Sequence, residues 1–494
     1  MNPVKIFLKS GAWLTLAGIL SKLANAFSLP LLARFLTPES LGIYNIITAL
    51  VQSTNGFSNL GITIAMERNG SQYKTLGVEA VGRLFGVGLT LICIVNTTIA
   101  IGIYLFRQPL AHNWLGQNNI AYWIGVSALL ISLQPLGNVP LIFLASLQDF
   151  RAYAIRSSLG AISSSAISII LSWQFGIDGA IFGLILAAAL QILWSYAIVK
   201  LVLKNKEIRL RLDQFWQESR SIFKLGFPYY CGNTLLGSLV GLPLMGLVSQ
   251  YGGLKELGYL RVAQSLAALI GFIPAAIAPA AISYLSANLV DDPTSYQRIK
   301  SIYLRGNWIL LLVPTGIISL MIPDLINLVF GQGYQQAGFL AWLTMWLSMM
   351  AGATSILIQY LVVSGKTSQV AWSSFFGVCC WVISAFLLIP RYSGTGFLIA
   401  QSIGQIVGFT LVVKPAIYDL NSKDMKLFSN LIYLTSLTFV WTLGIILLKV
   451  IPVVNGFIIV LTALSLVSVI FKVGLQDSEQ KELTDFFDKL RVSI

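Results

Sequence analysis

Five polar side chains recur at helical spacing in an otherwise apolar stretch. They are Asn45, Thr48, Gln52, Asn55 and Asn59, separated by three, four, three and four positions. This spacing places all five on one face of a single helix. Such a face either contacts a polar ligand across water or forms hydrogen bonds with a neighbouring helix. Five residues on one stripe favour the ligand-facing wall.

Two basic residues, Lys22 and Arg261, lie inside apolar segments, where a charge costs about 2.5–3.5 kcal/mol even on lenient insertion scales. Asn25 follows Lys22 and Gln264 follows Arg261, each within one helical turn. None of the 19 acidic residues lies at the middle of a predicted helix. Fixed cations without carboxylates favour an anionic ligand such as a diphosphate, since low dielectric strengthens the pairing. The alternative for both cations is that they reach toward the headgroup region.

Metal and enzyme chemistry find no support in the sequence. The chain has one histidine, His112, and its four cysteines lie in apolar runs, so we predict no metal site. Gly365-Lys366-Thr367 resembles the end of a phosphate-binding loop, but Tyr360 stands where that motif needs glycine. The longest outer loop, about residues 107 to 118, holds no acidic residue that could serve as a catalytic carboxylate. We therefore expect no cofactor and no enzymatic activity.

The elements that must position these residues are membrane helices. Hydrophobic residues make up 56% of the chain and charged residues 10%, against roughly 25% charged in soluble domains. Apolar runs of spanning length recur throughout. We predict an all-α polytopic membrane protein with about fourteen transmembrane helices, near residues 11–34, 42–66, 81–106, 119–146, 154–174, 177–199, 225–250, 258–284, 303–330, 337–362, 369–389, 394–413, 429–449 and 457–474.

The net charge of +13 reflects membrane orientation. If the N-terminus is cytoplasmic, the inner segments hold 25 of the 32 basic residues, as the positive-inside rule expects. Both termini are then cytoplasmic, and the basic residues contact anionic lipid rather than nucleic acid. Ala24-Asn25-Ala26 has the form of a signal-peptidase site, but apolar sequence continues beyond it, which favours retention as the first helix.

A weak internal repeat runs through the chain at an offset of about 216 positions. Gly11 matches Gly226, Leu41-Gly42 matches Leu257-Gly258, and Gly179 matches Gly396. An even number of helices in each repeat predicts two six-helix lobes related by a pseudo-twofold axis along the membrane normal. We predict an N-lobe at 1–215, a C-lobe at 216–428, a helix pair at 429–474 and a cytoplasmic amphipathic tail at 475–494. The offset pairs Asn45 with Arg261, so Lys22 and Arg261 would face one central cleft from opposite lobes.

The stretch LPLLARFLTPESLGIYNI (29–46) resembles the signature between the first two helices of bacterial polysaccharide flippases. These belong to the multidrug/oligosaccharidyl-lipid/polysaccharide exporter superfamily. SLQDFRAYA (146–154), FGIDGAIFG (175–183) and LVVSGKTSQ (361–369) are similar to further parts of that family in the same order.

The resemblance implies a transporter that flips an undecaprenyl-diphosphate-linked oligosaccharide to the periplasmic leaflet by alternating access, for polysaccharide or O-antigen biosynthesis. It also implies contact with membrane lipid and with polysaccharide polymerase or other assembly proteins. The expected substrate-binding residues are Lys22, Asn25, Asn45, Thr48, Gln52, Asn55, Arg261 and Gln264. Two alternatives remain: a multidrug cation antiporter of the same superfamily, which would need a buried acid, and a scaffold for an assembly complex.

Overall fold

The computed structural model describes residues 18, 20, 21, 24, 27–73, 77–147, 149–205, 207–233, 235–291, 293–364, 366–418 and 422–448. Lys22, Asn25, the fourteenth predicted span and the predicted tail lie outside the described residues. Throughout the described ranges the backbone is helical or in turns and connecting segments, with no strand. The prediction of an all-α chain is confirmed.

In chain order the described α-helices are α1 (27–35), α2 (Pro38–Ser58), α3 (Ile62–Tyr73), α4 (Val78–Leu105), α5 (Arg107–Pro109), α6 (Ala121–Ser146), α7 (Phe150–Asn205), α8 (Phe215–Asn233), α9 (Leu235–Asp291), α10 (Pro293–Val329), α11 (Gly338–Val363), α12 (Thr367–Ile417) and α13 (Ser422–Leu448). Two of them, α4 and α6, follow the predicted spans at 81–106 and 119–146 closely.

Seven of the described helical segments are long and apolar enough to cross a membrane, judged by length and composition. They are Val78–Leu105, Asn118–Ser146, Phe150–Asn205, Tyr303–Val329, Gln332–Leu361, Ser368–Ile417 and Met425–Gly444. A span needs about 20 residues, and α7 has 56, because it consists of two helices joined at a sharp turn. The chain is therefore a multi-pass membrane protein, while the total of fourteen spans stays a prediction.

The start of α2 is encoded locally. Thr37 is the N-cap residue, and its Oγ1 accepts a hydrogen bond from the backbone nitrogen of Ser40 at 3.2 Å. Pro38 occupies the first helical position, where its missing N–H costs nothing, and Glu39 complements the positive end of the helix dipole. These residues stop α1 and fix where the polar stripe of α2 begins.

The predicted single segment at 42–66 is wrong, because α2 ends at Ser58 and α3 begins at Ile62. Leu60 and Gly61 between them have positive φ angles of 47° and 77°. A Cβ on Gly61 would lie 2.0 Å from the carbonyl oxygen of Gly226, and one on Gly226 would lie 2.3 Å from that of Gly61. Close backbone packing against α8 therefore accompanies the break.

Two sharp turns have the same conformation at equivalent repeat positions. Gly176 divides α7 with φ 58° and ψ −132°, and Ser393, 217 positions later, divides α12 with φ 46° and ψ −122°. After each turn a glycine packs on the carbonyl of the preceding helix, Gly179 on Leu171 and Gly396 on Leu388. These pairs are also 217 positions apart, so the structure reproduces the offset at both helical hairpins.

Two segments that indicated the offset of 216 contact each other, Leu41-Gly42 of α2 and Leu257-Gly258 of α9. A Cβ on Gly42 would lie 1.9 Å from the carbonyl oxygen of Leu254, and one on Gly258 would lie 1.9 Å from that of Pro38. Pro38 and Leu254 are themselves 216 positions apart. The contact is thus self-complementary, with each repeat presenting the same surface to the other.

The chain groups into two compact units: Met1–Val262 with Phe386–Phe397, and Ala263–Ala385 with Leu398–Ile494. The first unit contains the whole α2–α9 contact at Gly42 and Gly258. The lobe boundaries predicted from the repeat, at residues 215 and 428, stay predictions.

Candidate functional site

A cavity of about 380 Å³ lies inside the first unit. Residues from α1, α2, α6 and both halves of α7 line it, together with one residue of α9, Arg261. The lining residues are Ser28, Leu29, Leu32, Tyr44, Thr48, Val51, Gln52, Leu130, Leu133, Gln134, Gly137, Asn138, Ser164, Ser165, Ser168, Leu184, Ala187, Ala188, Gln191 and Arg261. Its size falls within the range of small-ligand pockets, roughly 300–1,000 Å³.

The lining is polar, with one cation and no carboxylate among the described residues. Side-chain amides come from Gln52, Gln134, Asn138 and Gln191, and hydroxyl groups come mainly from serines of α7. Amides and hydroxyls both donate and accept hydrogen bonds, which suits sugar hydroxyls and phosphate oxygens. Among the described lining residues, the only formal charge is the positive charge of Arg261.

Arg261 reaches the cavity from a helix that is packed tightly on α2. Besides the glycine contact, Asn45 Nδ2 donates to the carbonyl oxygen of Leu257 at 3.0 Å. Arg261 is partly buried, and its Nε is buried without a hydrogen-bond partner among the described residues. Tyr44, which is 6% exposed, lines the cavity beside it. A buried donor without a partner is costly, so an anionic ligand at this end of the cavity would satisfy it.

The structure distributes the predicted stripe of α2 over different roles. Thr48 and Gln52 line the cavity. Asn45 is 1% exposed and holds α2 to α9, while Asn55 Nδ2 donates to Gln134 Oε1. Asn59 accepts a hydrogen bond from the backbone nitrogen of Thr63 at 3.0 Å, at the α2–α3 break. Three of the five residues of the stripe are therefore engaged in packing, as the alternative interpretation expected.

Of the eight predicted substrate-binding residues, three are brought together at the cavity: Thr48, Gln52 and Arg261. Gln264 is half-buried and belongs to the second unit. Lys22 and Asn25 lie outside the described residues. Their assignment as ligand contacts stays a prediction, as does that of Asn45 and Asn55.

The sequence reasoning missed a second buried cation, Arg156 of α7, which is 2% exposed. Its Nε donates to Ser195 Oγ, and its Nη2 donates to the carbonyl oxygen of Gly137 at 2.9 Å. Gly137 also lines the cavity, so this hydrogen bond places the guanidinium group of Arg156 beside the cavity wall. Arg156 thus adds positive charge directly behind the cavity wall. It was overlooked because it stands at the margin of a predicted span and was counted with the inner loop.

The polar residues of α6 and α7 were also missed. Gln134 and Asn138 are four positions apart and share a face of α6, so the spacing argument used for α2 finds them as well. The serines at 164, 165 and 168 gave a weaker signal, since serine in a membrane helix commonly bonds its own backbone.

Comparison with known proteins agrees with this picture. Residues 31–338 match the family described as "Polysaccharide biosynthesis protein". The succinoglycan biosynthesis transport protein ExoT of Rhizobium meliloti (strain 1021) is 26% identical over 243 residues, which cover 49% of this chain. That match spans 46% of the length of ExoT.

Two solved structures share the fold. The lipid II flippase MurJ, in an inward closed conformation, superposes with a TM-score of 0.71 at 14% identity, covering 92% of this chain and 98% of MurJ. A multidrug resistance MATE family transporter of the MOP superfamily, facing inward, gives a TM-score of 0.64 at 16% identity, covering 83% and 95% of the two chains. Together with a family match over more than half of its length, this shows that the chain belongs to the polysaccharide biosynthesis protein family and has the fold of MOP-superfamily flippases and transporters.

Proposed function

We propose that this protein is a flippase that moves an undecaprenyl-diphosphate-linked oligosaccharide from the cytoplasmic to the periplasmic leaflet by alternating access. The flipped glycan would then be used to build a polysaccharide, such as O-antigen. The relatives' names support this direction: ExoT is a succinoglycan transport protein and MurJ a lipid II flippase.

One observation carries the proposal: the guanidinium of Arg261 lines a polar cavity that has no carboxylate among its described lining residues. Among the described residues, the Nε of Arg261 also has no hydrogen-bond partner. Charge-assisted hydrogen bonds to phosphate oxygens are shorter and stronger than neutral ones. The amides of Gln52, Gln134 and Gln191 line the same cavity and suit the first sugars. The lipid tail would stay in the bilayer.

The membrane potential supplies a driving force for such a substrate. Moving a negative headgroup outward runs with an inside-negative potential, worth about 2.3 kcal/mol per charge per 100 mV. Transport in this direction therefore needs no ATP. The positive-inside bias of the sequence supports cytoplasmic termini and a location in the inner membrane.

The test is transport by the purified protein in liposomes, using undecaprenyl diphosphate that carries a fluorescent oligosaccharide. Arg261→Ala is expected to weaken flipping at least about tenfold, since hydrogen bonds to charged groups contribute roughly 1.5–3 kcal/mol. Arg261→Lys should restore part of the rate. Arg107→Ala is the matched control, because Arg107 lies over the ring of Tyr104 and is not among the cavity-lining residues.

Three results would count against the proposal. If Arg261→Ala and the double variant with Lys22→Ala both flipped the lipid at the wild-type rate, the assignment of a cationic binding site would be contradicted. Absence of transport by the wild-type protein alone would favour a scaffold. Export of cationic drugs, with no effect on surface glycan in a deletion strain, would favour the antiporter.

A further inference from the structure

A gap in the wall of the cavity lies where α6 passes the guanidinium group of Arg156. Gly137 and Gln191 both line the cavity, and Gly137 has no side chain to close its wall. A Cβ on Gly137 would lie 3.4 Å from Arg156 Nη2, 3.6 Å from the Cβ of Gln191 and 3.7 Å from Gln191 Oε1. These are ordinary contact distances. The space beside Gly137, which we call the Gly137 gap, therefore accommodates one atom next to both the guanidinium and the amide.

Arg156 has hydrogen-bond donors that the protein does not use. A guanidinium group has five N–H bonds, and here one on Nε serves Ser195 Oγ and one on Nη2 serves the carbonyl oxygen of Gly137. In the part of the chain that the structure describes, the remaining three have no acceptor, and no carboxylate pairs with the charge. The side chain is buried, at 2% exposure. A buried charge without a counter-ion is strongly unfavourable, and ionisable groups at such positions in membrane proteins commonly mark a ligand pathway.

The link between α6 and α7 does not require this charge. Ser195 Oγ itself donates to the carbonyl oxygen of Gly137 at 3.2 Å, so a neutral hydroxyl already joins the two helices. The guanidinium is nevertheless held in a fixed place. A Cβ on Gly160, one turn along α7, would lie 2.4 Å from Arg156 Nη1, so a larger residue there would displace the group. The positive charge at the gap therefore needs an explanation other than helix packing.

The Gly137 gap favours an oxygen atom that carries negative charge. Gln191 makes no hydrogen bond to another described residue, so its amide is as available as the N–H groups of Arg156. A methyl group in the gap would leave both unsatisfied, and a cation would be repelled. A neutral hydroxyl would accept a hydrogen bond but leave the charge uncompensated. A phosphate oxygen does both, and its hydrogen bonds with a guanidinium are stronger than neutral ones.

We propose that Arg156 and Gln191 form an oxyanion subsite of this cavity, which a phosphate oxygen reaches through the Gly137 gap. The inference rests on the proposed function for its biological ligand, the diphosphate of the lipid-linked substrate. Arg261 lines the same cavity, so two cations then act on one headgroup. The subsite would make the cavity prefer a diphosphate to a monophosphate.

The decisive variant is Gly137→Ala, because its methyl group fills the gap at ordinary contact distances and leaves Arg156 with its hydrogen bonds. Alanine favours a helix more than glycine does, so this variant should be at least as stable as wild type. Gly102→Ala is the matched control, since a Cβ on Gly102 has no atom within 4 Å. Arg156→Gln removes the charge and Arg156→Lys retains it.

The measurement is native mass spectrometry of the full chain in nanodiscs of zwitterionic lipid, with undecaprenyl diphosphate and undecaprenyl monophosphate as probes. Gly137→Ala and Arg156→Gln should each weaken binding of the diphosphate lipid at least about tenfold, through the loss of a charged hydrogen bond. The monophosphate lipid should lose less, so that the ratio of the two affinities falls. The two changes combined should weaken binding no more than one alone, since both remove the same contact. Arg156→Lys should bind the diphosphate lipid more tightly than Arg156→Gln.

The subsite would be overturned if folded Gly137→Ala bound the diphosphate lipid with wild-type affinity. It would also be overturned if both lipids lost affinity equally, or if the losses in the two variants multiplied. Either result would indicate a general distortion of the cavity.

A further arm uses inorganic diphosphate, which distinguishes a free anion from a lipid headgroup. Tighter binding of the lipid than of the inorganic ion would support the lipid as the source of the phosphate, and the reverse order would contradict it. Weaker binding of the inorganic ion in Gly137→Ala, without flipping of the lipid by wild-type protein, would support the subsite and contradict the flippase proposal. Flipping by wild type, with both diphosphates bound equally well by Gly137→Ala and wild type, would contradict the subsite alone.

Discussion

Substitution of Gly42 or Gly258 in the α2–α9 contact should destabilise the protein, and the free-energy costs of the two substitutions should not add. In Gly42→Ala the new methyl group would lie 1.9 Å from the carbonyl oxygen of Leu254. Ordinary contact begins at 3.4 Å, so the helices must separate by about 1.5 Å. The hydrogen bond from Asn45 to Leu257, now 3.0 Å long, would then exceed bonding range.

Overpacking typically costs about 1–3 kcal/mol and a lost hydrogen bond about 0.5–1.5 kcal/mol, so each single variant should lose roughly 2–4 kcal/mol. Gly258→Ala should cost about the same, because its methyl group would lie 1.9 Å from the carbonyl oxygen of Pro38. One separation of the helices accommodates both methyl groups. The double variant should therefore cost little more than one single variant, a coupling of about 2 kcal/mol or more.

The measurement is the free energy of unfolding by SDS from mixed micelles for wild type, both single variants and the double variant. Gly102→Ala is the control, since Gly102 lies in α4 with no atom within 4 Å of its would-be Cβ. This change should be neutral or stabilise by up to about 1 kcal/mol through helix propensity. Single variants as stable as wild type, or costs that add in the double variant, would refute the self-complementary contact.

Three further predictions concern single features. Ser393→Gly should stabilise the protein and Gly176→Ala should destabilise it, each by about 1–3 kcal/mol, because both positions have a positive φ that glycine tolerates best. A change of the thermal unfolding temperature in the same direction for both variants would contradict this. Asn45→Ala should cost about 1–3 kcal/mol of stability, because it removes the hydrogen bond to Leu257. The affinity of the folded protein for undecaprenyl diphosphate should stay near the wild-type value, since Asn45 serves in packing. A lower affinity of the folded fraction would show that Asn45 contacts the ligand. The exposed pair of Arg211 and Glu79, 2.8 Å apart, should contribute less than about 1 kcal/mol in a double-mutant cycle and weaken with salt; a larger, salt-insensitive coupling would show that the pair is not solvent-screened.

Hydropathy and the weak repeat predicted much of this fold. The ends of α4 and α6 lie within a few residues of the predicted spans, because long apolar runs have few ways to satisfy their backbone in lipid except as helices. The offset was readable from a few glycines, since close backbone contacts admit no other residue. The break at Leu60 was not predicted, because it accompanies packing of Gly61 on Gly226, a residue far along the chain.

The site was predicted less completely than the fold. Periodicity identifies the face of α2 on which Asn45, Thr48 and Asn55 lie, but not the partner of each side chain. Those partners, the carbonyl of Leu257 and the amide of Gln134, come from tertiary packing. The role of Arg156 depends on Gly137 and Ser195 in the same way, which no local pattern reveals.

The pairing of Asn45 with Arg261 explains why one guanidinium is left available to a ligand. Around a self-complementary contact, equivalent residues should make equivalent bonds. Asn45 donates to the carbonyl of Leu257, so Arg261 would donate to that of Leu41, 216 positions earlier. The structure does not form this second bond; Arg261 lines the cavity beside Tyr44 instead, and its Nε stays without a partner among the described residues. A short amide in one repeat secures the interface, and a long cation at the same position in the other repeat extends past it. Because the equivalent positions hold Asn45 in one repeat and Arg261 in the other, the same contact both joins the two helices and presents a positive charge to the cavity.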